Sequence, residues 1–210
     1  MIDEVRSVAR SYFDGRVSPA HDWHHVERVE ALARRLAADR DDVDERVLVL
    51  AVLLHDVGRP GEEAGTVDDH AEWGAREARS ILAEFDLDPG TVDAVAHCVR
   101  AHRYSNDVDP ETVEARVLCD ADNLDALGAV GLARCFSYGG EHGIPFYDPD
   151  LPVSADESPA GHTSVNHLRK KILSLPDRMY TEEGRRLAER RRAVVEEFLD
   201  RFEAEIAGER

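Results

Sequence analysis

Lysine is almost absent from this chain. Of 26 basic residues only Lys170 and Lys171 are lysines, and they stand against 44 acidic residues for a formal charge of −18 over 210 residues. That balance argues against broad nucleic-acid binding, which needs a basic footprint. It suits a cytoplasm of very high salt, where the Debye length falls to ~3 Å and repulsion between carboxylates is screened. The acidity is therefore read as adaptation to salt rather than as a binding face. Cysteine is scarce too. Cys98, Cys119 and Cys135 are odd in number and lack CxxC spacing, which points to reduced thiols filling small core positions. Long apolar runs are missing: the longest, Val47 to Leu54, falls far short of the ~20 residues that cross a bilayer. The opening segment MIDEVRSVARSYF is acidic and amphipathic, so no secretory signal, no membrane partner and a soluble, cytoplasmic protein are expected. No Pro/Gly/Ser-rich linker, composition shift, repeat or low-complexity tract divides the chain, and its length fits one generous domain.

What is present is helical periodicity. Val26, Val29, Leu32, Ala33 and Leu36 recur at helical spacing, as do Val194, Val195, Phe198, Leu199, Phe202 and Ile206, and neither set alternates as a strand would. The pattern predicts helices near 2–14, 22–39, 43–57, 69–86, 91–103, 110–126, 128–137, 163–175 and 181–207. Within it, DPE at 109–111 reads as an Asp cap with Pro at the first helical position, and DPG at 88–90 as a turn before a helix starting at Thr91. The expected fold is all-α, a single bundle of about eight or nine helices. Gly139 to Gly161, rich in prolines, glycines and acids, reads as a long loop of the kind that often covers a site.

Ten histidines are many for this length, and their placement is informative. His21, His24 and His25 open the second predicted helix in HDWHHVERV, and His55-Asp56 ends the third in LLHDVG. His70 opens the next, His97 and His102 lie near the end of the one after, and CDADNLDALG carries Asp120, Asp122 and Asp125. Burying an imidazole beside a carboxylate is costly without compensation. Neighbours on a helix point roughly 100° apart, so one cation can be reached by both His55 and Asp56. A histidine from one adjacent helix and an aspartate from another would complete its shell. Mixed imidazole and carboxylate donors suit Mn, Fe, Co, Ni or Zn better than Ca.

The ordered segments HDWHHVERV, LLHDVG and DADNLDALG, together with DHAEWGAREA, AHRYS and SVNHLRKKILSLPDRMYTEEGRRLAERR, resemble the HD-domain metal-dependent phosphohydrolases. The likeness covers most of the chain and is to a branch of small, stand-alone bacterial and archaeal hydrolases, some acting on nucleotides. It implies one domain with its core at about 18–127 and helices 163–207 packing on it. It implies the metal ligands His25, His55, Asp56 and Asp122, selecting His25 by the following V-x-R-V and Asp122 by AD-x-L. Asp120, roughly 200° around the helix from Asp122, is left out of the shell. One divalent ion is expected, Mg being admitted beside the transition metals, with room for a second. His70 and His102 match positions that bind a second ion or contact phosphate in relatives, while His97 is read as a surface histidine.

Two aspartates neutralise one divalent ion, so a nucleotide's remaining charge calls for protein cations. Arg28, Arg103 and Lys171 are the candidates, with Asn166 and His167 at helical spacing from Lys171 in the NH-x-x-x-K pattern of the resembled family. The implied reaction is hydrolysis of a phosphate ester or nucleotide phosphoanhydride by water made acidic by the ion. His55, Asp56, Arg28 and Lys171 carry the chemistry, and His70, His102, Arg103, Asn166 and Lys171 hold the substrate. The sequence has no Gly-rich phosphate loop and no G-x-S-x-G elbow, which disfavours a covalent enzyme intermediate. The alternatives are a nucleotide-sensing module without turnover and di-iron oxygenase chemistry. A small phosphorylated partner and a monomer or homodimer are expected, with Phe146 and Tyr147 in the loop as candidates for stacking on a base.

Overall fold

A computed structural model describes residues 1–15, 17–103 and 107–209. Their regular structure is entirely helical, ten α-helices and one 3-10 helix at Ile172–Arg178. The chain divides into two compact units, Met1–Asp122 and Asn123–Arg210.

The first unit is built around α3 (Glu45–Leu54), whose residues Val47 through Leu54 are all buried. A helix apolar on every side must be covered on every side. Here α1 (Ile2–Ser11), α2 (Trp23–Ala37) and α6 (Pro89–Ala101) pack against it. Each buried Leu or Val contributes about 1.5–3 kcal/mol, so α3 is the anchor of the unit. Against α6 lies α5 (His70–Leu82), which also meets α1 and the short α4 (Arg59–Glu63). Residues 113–122 of α7 (Val113–Asp125) close the unit, with Ala115, Val117, Leu118, Cys119 and Ala121 buried. Glu114 Oε1 accepts the Asp44 N–H at 2.8 Å, tying α7 to the start of α3.

Aspartate caps set the helix starts. Asp22, Asp44, Asp69 and Asp88 each accept backbone N–H groups from the first turn of α2, α3, α5 and α6. Two expected starts are corrected. Asp88 is the cap of α6 itself, with Pro89 inside the first turn, so DPG begins a helix two residues before Thr91. The helix expected from residue 110 begins at Val113, because Thr112 Oγ1 accepts the Ala115 N–H at 3.2 Å and does the capping. The helix α4 was not expected at all. It starts at Gly58, where a Cβ would lie 2.5 Å from the carbonyl oxygen of His70. That close approach sets the first turn of α5 against the His55-Asp56 turn. Gly58→Ala is expected to cost about 1–3 kcal/mol, because backbone rather than a mobile side chain must give way. Thermal unfolding checks it, as a fall in Tm of about 2–4 °C per kcal/mol.

In the second unit α8 (Gly128–Glu141) and the 3-10 helix pack on α10 (Glu182–Ile206), and α9 (Ser164–Lys170) packs against α8 and the 3-10 helix. The loop expected from Gly139 begins after Glu141. Gly139 stays helical, and a Cβ there would meet Ser164 Oγ at 2.5 Å, so its role is close packing rather than helix termination. The loop is tied down around buried Asp156. Its carboxylate accepts from Asn166 Nδ2 at 2.8 Å, His162 N at 2.8 Å and Ser158 N at 3.0 Å. Lys170 Nζ donates to the carbonyls of Asp156 and Ser158 and lies 3.6 Å from Asp156 Oδ1. A compact ammonium with three donors fits three oxygens in this way better than a planar guanidinium would, which gives one of the two lysines a structural reason. Phe146 and Tyr147 form an aromatic cluster with Phe202 of α10, at ring separations of 5.0–6.1 Å.

The cysteines are free thiols. Cys98 and Cys119 are buried and Cys135 half-buried, and burial pushes the thiols of Cys98 and Cys135 up to about 12 and about 11. No described helix is long and apolar enough to cross a membrane.

Candidate metal centre

Four histidines from four elements converge on Asp56. His25 stands in the first turn of α2, His55 is the cap residue ending α3, His70 opens α5, and His102 is the cap residue ending α6. All four are buried, as is Asp56, which is 2% exposed. On one side, His25 Nε2 lies 3.3 Å from His55 Nε2, 3.3 Å from Asp122 Oδ1 and 3.6 Å from Asp56 Oδ2, while His55 Nε2 is 3.7 Å from Asp56 Oδ2. On the other, His102 Nε2 and His70 Nε2 lie 3.4 and 3.5 Å from Asp56 Oδ1.

These separations raise a problem of lone pairs. His55 Nδ1 meets Val52 O at 2.7 Å and His102 Nδ1 meets Val99 O at 2.6 Å. A carbonyl only accepts, so each Nδ1 carries a proton, and in the neutral ring Nε2 then presents a lone pair. Those lone pairs face carboxylate oxygens, acceptor against acceptor. Asp56 Oδ1, His70 Nε2 and His102 Nε2 are buried without a hydrogen-bond partner, which ordinarily costs about 1–3 kcal/mol per group. A cation removes the conflict at every one of them. Donors about 2.0–2.2 Å from a first-row divalent ion fall into the range of mutual separations seen here. Two sets of donors come close enough together to share an ion, His25 with His55 and Asp122, and His55 with Asp56 and His102. The residues fit a metal.

The electrostatics keep the donors ready. Burial pushes the His55 and His70 imidazoles down to about 4, so both are neutral at pH 7. Burial opposes ionisation of Asp56, but the Arg59 guanidinium and His55 outweigh it and hold the carboxyl well below the usual carboxylate range. Asp122 is likewise held below that range: burial opposes its ionisation, but the hydrogen bond with His25 and the His25, His55 and His102 imidazoles together outweigh burial.

The sequence profile of the HD domain family matches residues 22–127, the span that contains every one of these donors. YpgQ of Bacillus subtilis is 31% identical over 98% of this chain and 94% of its own. This chain belongs to the HD-domain family. An HD-superfamily hydrolase from Bacillus thuringiensis superposes with a TM-score of 0.76 at 29% identity, covering 98% of this chain and 96% of that one. The structure of Bacillus subtilis YpgQ in complex with ADP superposes with a TM-score of 0.77 at 27% identity over the whole of both chains. The fold is thus that of the HD-superfamily hydrolases.

The other residues singled out in the sequence are placed as follows. Arg28 stands one turn after His25 on α2 and is half-buried. Arg103 follows His102, and its Nη1 lies 2.9 Å from both Glu62 Oε1 and Asp69 Oδ2. Tyr104 and Ser105 of AHRYS lie outside the described residues. His97 is half-buried on α6, where its Nε2 accepts the Glu111 N–H at 3.1 Å. Asn166 and Lys171 belong to the second unit. Asn166 is buried, with Nδ2 given to Leu151 O and Asp156, and half-buried Lys171 caps the end of α9.

Sequence reasoning missed Arg59 and Glu62, both on the unexpected α4. Arg59 Nε is buried 3.5 Å from Asp56 Oδ1, and its Nη1 donates to Glu62 Oε2 at 3.0 Å. Arg59 lies three positions after Asp56 and Glu62 three after Arg59, a helical spacing that was the available signal. Pro60 and Gly61 inside that stretch hid it.

Proposed function

We propose that this HD domain is a metal-dependent phosphohydrolase acting on a nucleotide, by attack of water on a phosphate ester or phosphoanhydride. The observation that carries the reading is the convergence of four histidine Nε2 atoms on the two oxygens of Asp56. In this reading His25, His55, Asp56 and Asp122 hold one divalent ion, and His70 and His102, with Asp56 Oδ1, hold a second. Mn, Fe, Co, Ni or Zn match the donors, and Mg is admitted. Such an ion supplies Lewis acidity toward a phosphoryl oxygen and a water acidic enough to lose its proton near neutral pH. Asp56 orients the donors, Arg28 and Arg103 offset phosphate charge, and the buried apolar wall of α3 excludes bulk water from the histidine side. A nucleotide is favoured because a relative of matching length has been solved with ADP and because the chain's acidic surface leaves anion binding to local cations.

The test is metal analysis of the purified protein, with a phosphate-release screen over nucleoside mono-, di- and triphosphates. It is run in high salt, the setting that the charge of −18 suggests for a cytoplasmic protein of this kind, with Mn, Co, Ni and Mg supplied separately. Release of phosphate or pyrophosphate that depends on one of these ions is expected. Tight nucleotide binding without product under every ion would replace the reading with a sensing module, and oxygen consumption would replace it with oxygenase chemistry.

A further inference from the structure

His55 and His102 solve the same orientation problem in the same way. Each terminates a helix and donates its Nδ1 proton back to the carbonyl three residues earlier in that helix, Val52 O and Val99 O. His70 lacks this option. It is the first residue of α5, and the first turn of a helix offers N–H groups, not carbonyls. Its acceptor comes from another element. Glu62 Oε2 lies 2.9 Å from His70 Nδ1, and Glu62 Oε1 accepts the backbone N–H of His70 at 3.3 Å. Glu62 is itself clamped, with Arg59 Nη1 donating to Oε2 at 3.0 Å and Arg103 Nη1 to Oε1 at 2.9 Å. Two guanidinium groups thus hold one carboxylate in place against one imidazole. With an acceptor-only partner on Nδ1, the His70 Nε2 lone pair is turned toward Asp56 Oδ1, 3.5 Å away.

We propose that Glu62 is a positioning residue for His70: it fixes the ring and keeps the proton on Nδ1, so that Nε2 is the donor presented to a second divalent ion beside Asp56 Oδ1. The proposal rests on the reading of His70 as a ligand. Carboxylates behind metal-bound histidines raise ligand basicity, and losing one typically costs 10–100-fold in metal affinity. The same carboxylate links Arg59 and Arg103 to the histidine, so two guanidinium groups and the orientation of His70 share one support.

Two measurements test this, one of them without metal. Long-range proton–nitrogen NMR on the metal-free protein at neutral pH reads the His70 tautomer directly. The wild type is expected to show protonated Nδ1 alone, Glu62→Ala a mixture of both tautomers, and Glu62→Gln, which keeps an acceptor, predominantly the wild-type form. Calorimetric titration with Zn or Mn is expected to show the step removed by His70→Ala weakened about 10–100-fold in Glu62→Ala and less in Glu62→Gln. The step belonging to His25, His55 and Asp122 should be unchanged, which separates positioning from general loss of structure. A Glu62→Ala protein with His70 still wholly protonated on Nδ1 and with wild-type affinity overturns the proposal. If wild type and His70→Ala take up the same number of ions, the second-ion reading fails, and the tautomer measurement still decides whether Glu62 fixes His70.

Discussion

Asp56→Asn is expected to lower metal-dependent phosphate release by on the order of 10³-fold and to strip the purified protein of its metal. Loss of the several kcal/mol of charge stabilisation that a divalent ion supplies, about 4 kcal/mol, corresponds to that factor. The substitution keeps the size of the side chain and changes its chemistry. Asparagine has one acceptor oxygen where aspartate has two, and in place of the other it presents N–H donors. One face of the cluster, toward His25 and His55 or toward His70 and His102, would then meet an amide N–H instead of an oxygen. That donor can satisfy a histidine lone pair directly, which removes the need for a cation on that side. The helical circular dichroism should therefore match the wild type while bound metal is lost. His97→Ala provides the contrast: its ring accepts the Glu111 N–H on α6 and faces none of the donors described above, so activity should stay at the wild-type level. Wild-type turnover in Asp56→Asn, or retention of its full metal content, would remove Asp56 from the centre of the site.

Much of this arrangement was written in the sequence, and what was hidden shared a physical character. The eight consecutive apolar residues of α3 announce a helix covered on all sides, and the structure buries every one of them. The positions of His25, His55, His70 and His102 at helix ends could be read from capping residues and periodicity, because both are local. The orientation of their rings could not. Which nitrogen of His55 carries the proton follows from a carbonyl three residues away, but for His70 it follows from Glu62, eight residues earlier on a short helix that contains Pro60 and Gly61. Propensity gives no weight to a five-residue helix interrupted by such residues. It exists because Gly58 admits the carbonyl of His70 so closely and because α5 packs on it. The lysine pair shows the same limit. Its rarity drew attention to Lys171, yet the contacts with an evident need for an ammonium belong to Lys170, on carbonyls more than ten residues upstream.

Removing metal with a chelator is expected to lower Tm by about 5–15 °C, and restoring a saturating divalent ion should recover it. A ligand bound only by the folded state stabilises it by about 2.7 kcal/mol at one hundred times its Kd and about 4.1 at one thousand. For a chain of this size each kcal/mol shifts Tm by about 2–4 °C. The structure gives reasons to expect the full effect. The donors come together only in the fold, and without an ion Asp56 Oδ1, His70 Nε2 and His102 Nε2 are buried and unsatisfied. The proton balance sharpens the test. His55 and His70, pushed down to about 4 by burial, are already neutral at pH 7, and Asp56 and Asp122 are already ionised, so these four donors release no protons when metal binds. The metal-free protein should then lose stability as pH falls from about 6.5 toward about 4, because the unfolded chain takes up protons that the folded one refuses. Salt separates this site from the acidic surface. Screening of 44 acidic residues should raise Tm with and without metal alike, because charges exposed to solvent are screened and buried ones much less so. The gap between the two melting curves should therefore persist as salt is added. A gap that closes with salt would mean that the ion acts on surface charge rather than on the histidine and aspartate cluster.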